Sequence, residues 1–331
     1  MKKLLICIVL LIILIALAVC YFVLIKPKTD FDKNRKRLEI KKYSSKIGTD
    51  KIHFLNTENS DAILLESNGH FALIDAGEDN DNPRGFESLN LKGFEDRVLA
   101  YLKENAADSE GKVTLDFVLG THSHSDHIGG FDTIILDDDV SIGKAYLKEY
   151  NESKIVDYEV QEWDNKEVYE QMVNALNSRN VPIISSPGSE PFTLGNFKIT
   201  LFNTVDNDTE KVGENDRSFG VLVEKDGTRV FLAGDIDNKS GDEARLGPEI
   251  GKVNLLKVGH HSYSGSTTGG WLRNLKPDYC VVTNTYERAD KNTLSRITRI
   301  TSAPILFSGS ENGIVAVFGD DGKLSLYNDI H

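Results

Sequence analysis

The hydrophobic pattern opens with the longest apolar run in the chain. After Lys2 and Lys3, residues 4–25 read LLICIVLLIILIALAVCYFVLI, without a charge or a proline. An α-helix of about 20 apolar residues crosses a bilayer core, whereas the apolar centre of a cleaved signal spans only about 7–15. The run therefore predicts an uncleaved, single-pass transmembrane anchor over residues 1–25. LAVC, ending at Cys20, has the outline of a lipoprotein cleavage site. However, Val19 is large for the position before the cysteine, and the apolar run continues past it.

Beyond residue 50 the pattern becomes short strands punctuated by helices. KIHFLNT (51–57), AILLES (62–67) and HFALIDAG (70–77) predict strands, the last two joined at the turn SNG. TLDFVLG (114–120) predicts a buried strand, and GKAYLKEY (143–150), VPIIS and FKITLFN (197–203) predict more. FGVLVEKDGTRVFLAGD (219–235) reads as a hairpin about Asp226-Gly227. VNLLKVGHH (253–261), DYCVVTN (278–284), APILFSG (303–309), GIVAVFG (313–319) and KLSLYN (323–328) complete the strands. Apolar residues at helical spacing predict helices over 94–106, 163–180 and about 291–300. Strands dominate both halves and no linker divides them, so the chain belongs to the α/β class, with two packed sheets and helices outside. The organisation expected is an anchor (1–25), a basic stem (26–50) and one domain (51–331).

Charge sharpens this division. Residues 1–46 carry 11 Lys and Arg against 3 Asp and Glu, which leaves 27 against 48 for residues 47–331. The basic stem suits an anionic membrane surface. The acidic body argues against nucleic acid as substrate, because phosphate backbones are met by Lys and Arg. Orientation is open between two faces. A short lysine-led start favours an extracytoplasmic body, while the many cations after the run favour the cytoplasmic face. Of three cysteines only Cys280 lies outside the apolar run, which excludes both an intrachain disulfide and a cysteine metal cluster from the body.

The chemistry concentrates at residues 121–130, THSHSDHIGG. The chain has eight histidines, and three of them stand here with an aspartate: His122, His124, Asp126 and His127. Neutral imidazoles and a carboxylate are the ligands of zinc-class ions, and alternation along an extended segment puts His122 and His124 on one side. A solvated loop holding histidines by chance would not need a buried strand before it and a glycine pair after it. Two more strands end in ligand-type residues: VFLAG runs into Asp235, and LLKVG into His260 and His261.

This ordered set resembles the metallo-β-lactamase superfamily. Its marks are an Asp-x-Gly turn (Asp75), HxHxDH (122–127), Gly-Asp (234–235) and a late histidine, and they cover the chain from about residue 50 onward. The resemblance implies an αββα sandwich with a dinuclear metal site on one rim. On that analogy, together with ligand chemistry, His122 and His124 hold one ion, and Asp126, His127 and one of His260 and His261 hold the other. Asp235 bridges, and Asp75 orients a ligand. The expected cofactor is a pair of divalent ions, zinc first and manganese as the alternative.

One departure narrows the branch. Many members place a ligand histidine between HxHxDH and Gly-Asp, but residues 128–259 contain none. Instead GENDRSFGVLVE offers Asn215, Asp216 and Ser218, and Asn215 and Ser218 are candidates to complete the first half-site. This resembles the branch with competence DNA-uptake hydrolase domains and secreted phosphorylcholine esterases. SDAILLESNGHFALIDAGED, EWDN and LGPEIGKVNLLKVGHHS look closest to the esterases. The resemblance implies a hydrolase in which metal-activated water attacks a phosphodiester of the cell envelope, with Asp126, His260 and His261 at the reacting centre. A choline-bearing teichoic acid is the candidate ester. A cationic headgroup favours aromatic faces, and Tyr146, Tyr150, Tyr158 and Trp163 are the candidates. The alternatives are a nuclease or nucleotide phosphodiesterase like the DNA-uptake domains, and a non-catalytic metal-binding domain.

Overall fold

The computed structural model describes residues 2–36, 38–45, 47–79, 92–205 and 210–331, with side chains for all of these except 2–6, 23 and 24. Period-two patterning builds its centre. Strands Ala62–Ser67 and His70–Ala76 pair antiparallel around Asn68 and Gly69, whose φ angles of 49° and 80° suit a tight hairpin turn. Both strands lie inside a sheet and bury both faces. Ile63, Leu65, Ala72 and Ile74 point to one core, while Leu64 and Leu73 point to another.

Among the described residues, one sheet has nine strands in the order Lys41–Lys42, Leu324–Asn328, Ile314–Phe318, Asp50–Phe54, Ala62–Ser67, His70–Ala76, Phe117–Leu119, Ala145–Tyr146 and Ile183–Ile184. The second has seven: Phe192–Leu194, Phe197–Phe202, Gly220–Lys225, Thr228–Leu232, Leu255–Lys257, Tyr279–Val282 and Ile305–Phe307. The core around Ile52, Phe54, Leu119, Phe197, Val221, Val223 and Val230 draws on both sheets and is sandwiched between them. Helices Glu95–Asn105, Phe131–Leu136 and Asn165–Ser178 cover the outer face of the first sheet through Val98, Phe131, Ile134 and Met172. Helices Asp242–Ile250, Gly269–Leu275 and Lys291–Thr301 cover the second through Leu246, Trp271, Leu294 and Ile297. The layers run helix, sheet, sheet, helix, a mixed α/β metallo-β-lactamase-type fold.

Several expectations need correction in detail. TLDFVLG is two strands, not one: Val113–Leu115 pairs with Val140–Ile142, and the nine-stranded sheet takes only Phe117–Leu119. Of GKAYLKEY, only Ala145–Tyr146 forms strand. The helix expected over 163–180 is Asn165–Ser178, preceded by a separate turn of helix, Asp157–Glu162. Helices Asp242–Ile250 and Gly269–Leu275 were not anticipated, because two internal glycines, Pro248 and short lengths blur their periodicity.

The N-terminal segment also departs from expectation. Helix Lys2–Cys20 passes through a π-helical turn, Tyr21–Ile25, into helix Lys26–Asn34. Among the described residues no helix is long and apolar enough to cross a membrane, so the spanning anchor expected over 1–25 is not met there. Its described side chains are nevertheless apolar and exposed, from Ile8 through Val19 to Phe22 and Ile25. The first part of the stem is helical and docked. Phe31 is fully buried in the outer core of the second sheet, 6.1 Å from the Tyr286 ring and 6.5 Å from that of Phe307.

His53, outside the motif, is a core residue tying sheet to helix. Its Nδ1 lies 2.8 Å from the Tyr101 hydroxyl and its Nε2 3.1 Å from Glu66 Oε2. Burial outweighs the Glu66 carboxylate and holds its pKa below the usual 6.5. The unfolded chain therefore binds this proton first, and the contribution to stability is lost as pH falls from 6.5 towards the depressed value. Urea unfolding over that window is expected to show weakening with acid, and His53→Gln is expected to flatten that part of the profile.

Candidate metal centre

The site forms where several strands end on one rim. Phe117–Leu119 leads through Gly120 and Thr121 into His122 and His124, and the short helix Ser125–Ile128 then carries Asp126 and His127. The glycine pair that follows is a close approach: a Cβ on Gly130 would sit 2.6 Å from the Ala76 carbonyl oxygen. Asp75 occupies a bulge where the pairing shifts from Ile63↔Ile74 to Ala62↔Ala76, with a left-handed φ of 55°. That geometry aims its carboxylate across the sheet. Thr121 N and Oγ1 donate to its two oxygens at 2.7 and 2.8 Å, and His127 Nδ1 lies 2.8 Å from Oδ2. Three successive non-glycine residues, His260, His261 and Ser262, have positive φ (49°, 47° and 71°). Such strain clusters at functional turns.

The motif residues gather into two adjoining clusters, in each of which the potential ligand atoms lie within 4.8 Å of one another. The first is His122, His124 and Asp235; the second is Asp126, His127 and His261. His122 Nε2 and His124 Nδ1 lie 2.9 Å apart. Asp235 joins the clusters, its Oδ1 3.3 Å from His127 Nε2 and 3.5 Å from His261 Nε2. His261 Nε2 also lies 3.4 Å from Asp126 Oδ2.

Each of these imidazoles has its other nitrogen tied to protein, the arrangement that fixes tautomer and ring orientation where an imidazole serves as a ligand. His122 Nδ1 faces Thr121 Oγ1 and Ser218 Oγ at 3.0 and 3.1 Å. His124 Nε2 faces Glu159 Oε2 at 3.4 Å. His127 Nδ1 faces Asp75, and His261 Nδ1 faces the Thr283 carbonyl at 3.1 Å. His260 is different. It belongs to neither cluster, is partly exposed, and meets the Asn215 amide at 3.1 Å while standing 3.9 Å from Asp235 Oδ2.

The electrostatics favour cations. Asp61, Asp75, Asp126 and Asp235 converge here, and among the described residues the ammonium paired with them is that of Lys257. Burial disfavours charge on His127, yet the carboxylates of Asp235, Asp75 and Asp126 hold its pKa well above normal. His261 is raised the same way by Asp235 and Asp61, and His124 by Glu159, each against burial. His122, buried beside other imidazoles, is pushed well down. His260 is lowered to about 4 by burial. The residues fit a pair of divalent ions on a further count: Asp235 Oδ1 and Asn215 Oδ1 are buried with no hydrogen-bond partner among the described residues.

Other candidates fall elsewhere. Ser218 is fully buried; besides facing His122, it accepts the Asp235 backbone N–H at 3.1 Å, so it supports two of the clustered residues. Trp163 stacks 4.9 Å from His124 and donates from Nε1 to the Tyr158 hydroxyl at 2.9 Å. Tyr150 lies half-buried against Tyr169, its pKa pushed up to about 12 by burial and then by Glu214. Tyr146 is not a wall of this site: it is buried between the sheets against Phe117 and Phe192.

Sequence reasoning missed Asp61 and Lys257. Lys257 is fully buried, pairs closely with Asp61, donates to the Gly234 carbonyl at 2.8 Å and lies 3.7 Å from Asp235 Oδ1. Its signal was a lysine inside the apolar run VNLLKV, where an unpaired charge is not tolerated. Glu159 and Glu214 were missed as well. Glu214 accepts the Ser123 N–H at 3.1 Å, and burial raises its pKa.

Comparison with known proteins gives the following likenesses. ComE operon protein 3 of Bacillus subtilis (strain 168) is 23% identical over 200 residues, covering 58% of this chain and 23% of its own length. Competence protein ComA of Neisseria gonorrhoeae is 29% identical over 85 residues, 25% of this chain and 12% of its own. The chain thus spans less than a quarter of either relative. Among solved structures, the metallo-beta-lactamase fold protein YhfI from Bacillus subtilis aligns over 80% of this chain and 98% of its own, at 14% identity and a TM-score of 0.48. Zn(2+)-bound PqqB from Methylobacterium extorquens aligns over 76% of this chain and 85% of its own, at 13% identity and a TM-score of 0.42. The family described as beta-lactamase superfamily domain matches residues 71–263, more than half of the chain. With its two-sheet fold and the HxHxDH rim, the chain belongs to the beta-lactamase superfamily.

Proposed function

We propose that this metal-dependent hydrolase is a phosphodiesterase that cleaves a cation-headed phosphodiester of the cell envelope, with a choline-bearing teichoic acid as the leading candidate. Two divalent ions, zinc in the first instance, would supply an acidified water and neutralise charge developing on phosphorus. His122, His124 and Asp235 would hold one, and Asp126, His127, His261 and Asp235 the other. Asp75, Thr121, Ser218, Glu159 and Thr283 fix the orientation of the imidazoles. His260 stands outside both clusters and is partly exposed, where the N–H of its neutral imidazole is placed to donate a hydrogen bond to a phosphoryl oxygen. His261→Ala is therefore expected to cost one ion per chain in metal analysis, whereas His260→Ala is expected to keep both and lose turnover.

The observation that carries the phosphodiester reading is the wall beside His124. Trp163 lies against the imidazole, Tyr158 is bonded to Trp163, and the Glu159 carboxylate stands 3.4 Å from His124 Nε2. Aromatic faces with nearby carboxylates suit a quaternary ammonium. The exposed apolar side chains from Ile8 to Ile25 support attachment to a membrane, and the extracytoplasmic side is the face proposed for the body. The test is a hydrolysis panel on the zinc-loaded chain. Turnover of bis-(p-nitrophenyl) phosphate and p-nitrophenyl phosphorylcholine, the second preferred and the preference lost in Trp163→Ala, is the expected result. Hydrolysis confined to lactam, lactone or thioester substrates would overturn it. Likeness to the competence proteins favours a second reading, a nuclease. Degradation of single-stranded DNA by the same preparation would select it, against the acidic composition of the body.

A further inference from the structure

Where the apolar helix meets the domain there is a cavity of about 260 Å³ lined by Phe22, Lys26, Asp30, Ser295, Arg296 and Arg299. Its position follows from the docking of helix Lys26–Asn34 on helix Lys291–Thr301. The latter buries Leu294 and Ile297 inward and turns Arg299 outward. Arg296 is tethered, donating to the Ser266 and Thr267 carbonyls at 3.2 and 3.0 Å. Lys26 Nζ lies 5.6 Å from the Phe22 ring centroid and 4.0 Å from Asp30 Oδ2. Arg299 makes no ion pair or hydrogen bond among the described residues. Three cations thus face one carboxylate, on a body in which Asp and Glu far outnumber Lys and Arg.

We infer that this cavity binds the phosphate of an anionic phospholipid. The inference rests on the membrane attachment proposed above and adds to it a defined headgroup site. Above the cavity the described side chains of the helix from Ile8 to Phe22 and at Ile25 are apolar and exposed, with Phe22 61% exposed at the cavity edge, and Lys26 follows directly. Apolar surface passing directly into cations is the order in which a lipid presents acyl chain and phosphate. An acyl chain would lie along Phe22 and Tyr21, and the phosphate would accept from Lys26, Arg296 and Arg299. The docked Phe31 makes the site part of the folded domain and not of a free tether, so a bound lipid would fix the direction in which the metal-centre rim faces.

The test is flotation of the full chain with vesicles of phosphatidylcholine alone and of phosphatidylcholine mixed with phosphatidylglycerol. The wild-type chain is expected to bind both and to prefer the anionic mixture. Lys26→Gln/Arg299→Gln removes two exposed charges outside the metal centre. It is expected to lose about thirtyfold of that preference, from roughly 1 kcal/mol per cation near an anionic surface. Lys166→Gln/Lys198→Gln, the same charge loss on other elements, is expected to keep it. Equal binding of the wild-type chain to both vesicles, or equal loss in the control pair, overturns the headgroup site while leaving membrane attachment intact. Binding to neither vesicle overturns the attachment itself. Saturable uptake of inorganic phosphate without any vesicle preference would make the cavity a free-anion site and overturn the lipid assignment.

Discussion

Asp235→Ala is expected to be the most damaging single substitution for activity. The carboxylate belongs to the cluster of His122 and His124 and also stands 3.3 Å from His127 Nε2 and 3.5 Å from His261 Nε2. On the proposed assignment, removing it would withdraw a ligand from both half-sites at once. It also leaves Lys257 without one of its two carboxylate neighbours. Losing several kcal/mol of transition-state stabilisation lowers turnover by about a thousandfold or more. Metal analysis of the purified variant is expected to show a deficit of both ions. Asp126→Ala, which touches only the second cluster, is expected to leave one. Equal metal content in the wild type and Asp235→Ala would contradict the bridging role.

Lys257→Met is expected to be the most damaging for stability. The side chain is fully buried on strand Leu255–Lys257, where burial alone would lower its pKa. The Asp61 and Asp235 carboxylates more than offset that and hold it raised. Methionine matches the length of the stem but leaves Asp61 buried beside Asp75, Asp126 and Asp235 with no ammonium. Breaking a buried pair from one side costs about 3–5 kcal/mol. Urea unfolding is expected to show a loss of that order in chelator-treated protein. Saturating zinc should recover part of it, because ions that bind only the folded state offset the same carboxylates. The double variant Lys257→Met/Asp61→Leu should be more stable than Lys257→Met alone. A loss no greater than that of an exposed lysine would contradict the account.

Legibility in the sequence followed locality. THSHSDH could be read because its four candidate ligands fall within six positions and lie between a buried strand and two glycines. Asp235 and His261 could be read because each follows an apolar strand, and strands of one sheet end on one rim. The His260–His261 pair could not be separated in advance. The difference lies in Thr283, just past the end of strand Tyr279–Val282, whose carbonyl faces the Nδ1 of His261 at 3.1 Å. Asp61 and Glu159 were illegible for the same reason, since their partners stand 196 and 35 positions away. Tyr146 was misjudged because the sheet it packs against, through Phe192, lies far along the chain. The sandwich emerged from strand count and period, whereas the short outer helices needed tertiary packing to exist. The apolar N-terminal run was conspicuous, yet the π-helical turn and the docking of Phe31 were not encoded in any local period.

The most direct measurement is a zinc titration of the chelator-treated full chain by calorimetry, with His261→Ala in parallel. The account predicts two ions per chain for the wild type, held in half-sites that share Asp235, and one for the variant. A wild-type stoichiometry of one or none, or two ions retained in His261→Ala, would contradict it.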